Sequence, residues 1–134
     1  TLASMAELEG KSDLDRAEIV GVFFNRLNQN MSLGSDVTTY YAFKVDMGDR
    51  NLTTNEIKTY SPYNTRGPQM NGKIPIGPIC NPSVSAIKAA LNPTESDNLY
   101  FVADKNGKVY FTKTYEEHTE MIQKLKDEGL WFTY

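Results

Sequence analysis

At 134 residues the chain suits one domain with a single sizeable core. A net charge of −3 without any basic run argues against a nucleic-acid surface, and one cysteine (Cys80) with one histidine (His118) cannot furnish a disulfide scaffold or a zinc centre. No apolar stretch approaches bilayer length and no leader segment is evident; the start at Thr1 within a helical pattern reads as a domain cut from a longer protein.

Residues 1–9 predict a short helix, because Leu2, Met5, Ala6 and Glu9 recur at the spacing of one helical face. Gly10 is expected to cap it. A second helix should begin near Ser12, where Ser12 and Asp15 have capping-box spacing. Ile19, Val20, Val22, Phe23, Phe24 and Leu27 cover much of its circumference, which predicts a central position in the core. Residues 28–81 are less regular, with a helical piece around Val37–Phe43 and another starting at the Thr53/Glu56 capping pair and ending before Pro62.

From Ser61 to Pro82 the chain is rich in Pro, Gly and Asn, as in functional loops. Pro82 is then expected at the first position of a helix whose stripe is Val84, Ile87, Lys88 and Leu91, ended by Asn92-Pro93. Two β-rich runs, Leu99–Ala103 and Lys108–Thr112, flank Asn106-Gly107 and predict a hairpin. Thr114 and Glu117 cap a last helix bearing Tyr115, His118, Met121, Ile122 and Leu125. The fold class is α+β, a mostly helical single domain with a small antiparallel sheet.

Glu7 and Glu9 are the first candidates for chemistry. At roughly 100° per residue they point about 200° apart on a helix, so they cannot share one cleft. Glu7 aligns with Ser4 and Lys11, whereas Glu9 aligns with the apolar face. Desolvation there, together with the negative end of the helix dipole, raises a carboxyl pKa and suits a general acid. Glu9 could instead be an edge residue or the partner of Arg26 in a structural ion pair.

Asn25-Arg26, late in the second helix, could orient Glu9 or hold a sugar hydroxyl, and could equally satisfy backbone carbonyls. The run Gly34 to Tyr41 joins Ser35, Asp36, Thr38 and Tyr40, the hydroxyls, carboxylate and aromatic faces that sugar sites use, although Asp36 also fits a helix N-cap. Tyr63, Asn64 and Thr65 in one rigid turn, and Asn81 in another, could line the same cleft. His118 lies on the apolar side of its helix and reads as a core residue. No G-x-S-x-G motif supports a Ser-His-Asp assembly.

The ordered set Leu2–Glu9, Val22–Leu27, Met31–Asp36, Ser61–Thr65, Pro75–Pro82, Ala89–Pro93 and Leu99–Asp104, continued by Phe111-Thr112 and Glu117-His118, resembles the YceG-like endolytic transglycosylase family over nearly the whole chain. The resemblance implies a lysozyme-like cleft and places the catalytic carboxylate on Glu9, the second Glu of the opening E-x-E motif. It implies cleavage of the β-1,4 bond between N-acetylmuramic acid and N-acetylglucosamine inside glycan strands, leaving a 1,6-anhydro end. Two carboxylates are usual for glycoside hydrolysis, but here the sugar's own 6-hydroxyl replaces water and one suffices, with no metal or cofactor. Leu8, Gly10, Ser35 and the stretch 66–73 depart from the commoner family pattern. The resemblance further implies a membrane anchor upstream, a catalytic domain on the extracytoplasmic face, and peptidoglycan synthases as partners. Two other readings compete: a glycan-binding module without turnover, and a muramidase using Asp36 or Glu7 as second carboxylate.

Overall fold

The computed structural model describes residues 1–131. Its elements in chain order are α1 (Leu2–Glu9), α2 (Asp13–Asn28), α3 (Asp36–Ala42), α4 (Thr54–Lys58), α5 (Val84–Leu91), β1 (Tyr100–Ala103), β2 (Val109–Thr112) and α6 (Tyr115–Asp127). The predicted elements are therefore present, and the class is α+β with one antiparallel hairpin. No helix among the described residues is long and apolar enough to cross a membrane.

The core forms where α1 and α2 meet the start of α3. Met5, Ile19, Phe23, Leu33, Val37 and Ile79 pack as one buried cluster, with Phe101 and Phe111 of the hairpin against it. The rings of Phe23 and Phe101 meet edge-on at 6.0 Å, a geometry favoured by their quadrupoles. A second cluster, Ala6, Val20 and Ala89, joins α1, α2 and α5 through small side chains.

Small side chains decide how α5 sits. The stripe expected to face inward is turned outward: Val84 is 69 % exposed and Leu91 74 %, while Ala86 and Ala89 are buried. Alanine permits the close helix approach that larger residues would block, so the helix turns its small face inward. Gly21 of α2 lets the segment after α5 approach closely, since a Cβ there would lie 2.3 Å from the Thr94 carbonyl oxygen. Phe24 likewise lies on the outer side of α2, 38 % exposed.

The backbone keeps one expected helix boundary and corrects another. Gly10 is the C-cap of α1, as expected, with its N–H donating to the Ala6 carbonyl in an extended conformation (φ −114, ψ 154). Its missing side chain matters for packing, because a Cβ would meet Arg16 and Ile19 at 3.0 Å. Pro82 lies before α5, whose N-cap is Ser83, with its hydroxyl accepting from the Ala86 N–H. The hairpin pairs Ala103 with Val109. Asp104 orders its turn by accepting from the Asn106 and Lys108 N–H groups, and Gly107 takes the left-handed position (φ 87) that such turns require.

Candidate active site

Glu9 ends α1, and the chain reverses so that the start of α3 lies over it. The Ser35 hydroxyl donates to Glu9 Oε1 at 2.7 Å, and the Val37 N–H also points to the carboxylate. Ser35 occupies the N-cap position of α3 yet makes no side-chain cap bond. Its hydroxyl is spent on Glu9 instead. Asp36, expected as the cap, is the first helical residue and pairs with Arg66.

Burial pushes the Glu9 carboxyl up to about 7. The Ser35 hydroxyl opposes this, the nearby Asp36 carboxylate adds to it, and the Val37 N–H opposes it again. Desolvation wins because two hydrogen bonds return only part of the hydration a carboxylate loses. The group is thus poised to give and take a proton near neutral pH. Ser35→Ala should therefore move the alkaline limb of any Glu9-dependent activity to higher pH and lower the maximum rate about tenfold through looser positioning. A rate loss with an unmoved limb would reduce Ser35 to a packing residue.

Glu7 points the other way, as helix geometry requires. It accepts from the Ser83 N–H at 2.6 Å and from the Arg16 guanidinium at 2.8 Å, contacts that join α1, α2 and the start of α5; Ser83 above all, with Arg16 adding to it, holds its carboxyl below the usual range. It is unavailable as a second acid at the Glu9 cleft. Among the described residues, the carboxylate that bears electrostatically on Glu9 is that of Asp36.

Behind Ser35 stands a fully buried hydroxyl cluster. The Ser35 N–H donates to Thr65 Oγ1 at 2.9 Å, Thr38 Oγ1 donates to the Ser35 carbonyl at 2.7 Å, and the Thr38 and Thr65 hydroxyls share a hydrogen bond of 2.7 Å. Asn64 Oδ1 accepts from Thr39 Oγ1 at 2.7 Å and from the Arg66 N–H. Its amide donates to the carbonyls of Glu56, Ile57 and Thr59, which satisfies the C-terminal end of α4.

Thr38, Asn64 and Thr65, expected at the sugar, have no exposed surface. As placed here they hold the Ser35 loop and offer nothing to a ligand. Asn25 and Arg26 are also committed: Asn25 donates to the carbonyls of Ser96 and Asn98, and Arg26 to those of Leu99, Ser32 and Leu33. They tie α2 to the segments leading into α3 and β1, and no Arg26–Glu9 ion pair forms. The Tyr40 hydroxyl donates to the Arg50 carbonyl at 3.0 Å, and Asn81 is exposed on the loop before α5. His118 is half-buried and stacks on Tyr100 at 5.2 Å, as a core histidine would.

A cavity of about 540 Å³ opens beside Glu9, whose chain neighbour Leu8 and hydrogen-bond partner Val37 are in its wall. Tyr41 and Tyr63, edge to face at 5.0 Å, form another part of that wall. Lys44, Asp46 and Met47 complete the mouth, and composition and periodicity pointed to none of them. They follow α3 on an irregular turn, where no periodic signal exists.

Against known proteins, residues 1–124 match the model of the YceG-like family. The chain is 42% identical over 124 residues to an endolytic murein transglycosylase of Bacillus subtilis, covering 92% of this chain and 33% of that one. It is 41% identical over 127 residues to the enzyme of the same name from Streptococcus pneumoniae serotype 2, covering 91% of this chain and 22% of that one. The chain thus spans a third or less of these relatives. A crystal structure of a YceG-like protein from Listeria monocytogenes superposes with a TM-score of 0.80 at 43% identity, covering 90% of this chain and 38% of that chain.

Proposed function

The chain belongs to the YceG-like family, and we propose that its Glu9 cleft is the catalytic centre of an endolytic murein transglycosylase. The observation that carries this reading is a carboxyl, Glu9, raised to about 7 and held by Ser35 and by the N–H of Val37, a residue that lines an aromatic-walled cavity. The names of the relatives support the same activity.

In the proposed reaction, protonated Glu9 donates to the glycosidic oxygen as the bond from the muramyl C1 to that oxygen breaks. The muramyl 6-hydroxyl oxygen then bonds to C1, and its proton passes to the Glu9 carboxylate. The proton count closes without water, the enzyme returns to its starting form, and the product carries a 1,6-anhydro end. A single group must serve as acid and then as base, which is easiest when its pKa lies near the working pH. Ser35 and the Val37 N–H favour the ionised form during the second half of the cycle.

Mass spectrometry of peptidoglycan digested by the protein tests this reading. New 1,6-anhydro-muramyl ends are the expected product. New reducing ends would replace the lyase by a hydrolase with Asp36 as second carboxylate, and no new ends would leave a glycan-binding module.

A further inference from the structure

We propose that the cavity beside Glu9 is a subsite for the stem peptide of the murein strand, with Lys44 receiving a peptide carboxylate; this rests on the murein reading above. Three of the molecule's exposed large apolar side chains stand around this one cavity: Leu8 at 38 %, Tyr41 at 45 % and Met47 at 39 %. Glycan rings and their acetyl methyls can cover the tyrosine faces, and the alanyl methyls and backbone of a stem peptide add contacts for Leu8 and Met47. The two charged residues in the lining, Lys44 and Asp46, are exposed, and neither has an ion-pair or side-chain hydrogen-bond partner among the described residues. Stem peptides supply both complements, since they carry free carboxylates as well as N–H donors.

Lys44 also stands where a side chain is unfavourable. It follows the end of α3 at φ 57, with its N–H donating to the Tyr41 carbonyl and the Val45 N–H to the Tyr40 carbonyl. In this helix-ending motif the left-handed residue is usually glycine. A lysine there keeps a cation at the cavity mouth at a conformational cost that the fold itself does not require.

The same strain provides a clean variant. Lys44→Gly removes the cation and relieves the left-handed backbone, so its melting temperature should equal or exceed that of the parent. Binding is measured with a GlcNAc–MurNAc-tripeptide and with a GlcNAc–MurNAc disaccharide whose lactyl carboxyl is blocked as the methylamide, following the Met47 methyl resonance. The tripeptide form should bind about fivefold more tightly, the upper range for one exposed ion pair, and should move the Met47 signal. In Lys44→Gly the ratio should fall toward one.

Equal affinity for the two probes, or a preference undiminished in Lys44→Gly, would overturn the subsite. Stem-selective binding by a protein that forms no anhydro ends would sink the transglycosylase reading and leave the subsite standing. Anhydro ends formed without any stem preference would do the reverse.

Discussion

Replacing Glu9 by Gln should reduce strand cleavage by about 10³-fold, the scale of a lost general acid–base group, while the fold persists. Glutamine keeps the shape and can still accept from Ser35 and the Val37 N–H, but it has no proton to give. The substitution also reports on burial. The Glu9 carboxyl titrates near 7 in the folded protein against an ordinary value of 4.5. The folded state therefore binds more protons than the unfolded chain between those values, and stability from this group declines as pH rises through that window.

The sign of the comparison follows. Below about 4.5 both states hold a protonated Glu9, and the parent has its full stability from this group. Above about 7 the parent carries an ionised carboxylate that lost hydration on folding, whereas the Gln variant does not. Denaturant midpoints should favour Glu9→Gln more at pH 8 than at pH 5. A gap that is constant with pH would defeat the burial argument without touching catalysis. Near-parental cleavage by the variant would remove Glu9 from the reaction.

Asn64→Ala should cost roughly 2–4 kcal/mol of stability, because it strands several buried partners at once. Asn64 is wholly buried and satisfies Thr39 Oγ1, the Arg66 N–H and three carbonyls at the end of α4. Alanine fills less space and serves none of them. For a chain of this size the loss corresponds to a melting temperature lower by about 10 °C. Below that transition KM should stay close to the parental value, since the side chain has no surface to present. An unchanged melting temperature with a raised KM would return Asn64 to substrate contact.

Both variants bear on how much of the site could be read from residue order. The separation of Glu7 from Glu9 was legible because helix geometry depends only on spacing, and the structure sends the two carboxylates to opposite neighbours. The Ser35 run was legible as chemistry but not as contact. Its hydroxyl fits a helix cap equally well, and only the approach of α1 diverts it to Glu9. Thr38, Asn64 and Thr65 carry the groups a sugar site needs, and the fold turned those groups inward on one another.

The sequence by itself determined the helices, the hairpin and the candidate acid, because these rest on local periodicity, turn chemistry and one residue's place on a helical face. Tertiary structure decided which face α5 buries, since that depends on Ala6 and Ala89 allowing close approach of helices distant in sequence. It also decided which polar residues serve the scaffold and which border the cavity. Burial is a property of the assembled whole: a side chain's pKa and its availability to a ligand both follow from what packs over it.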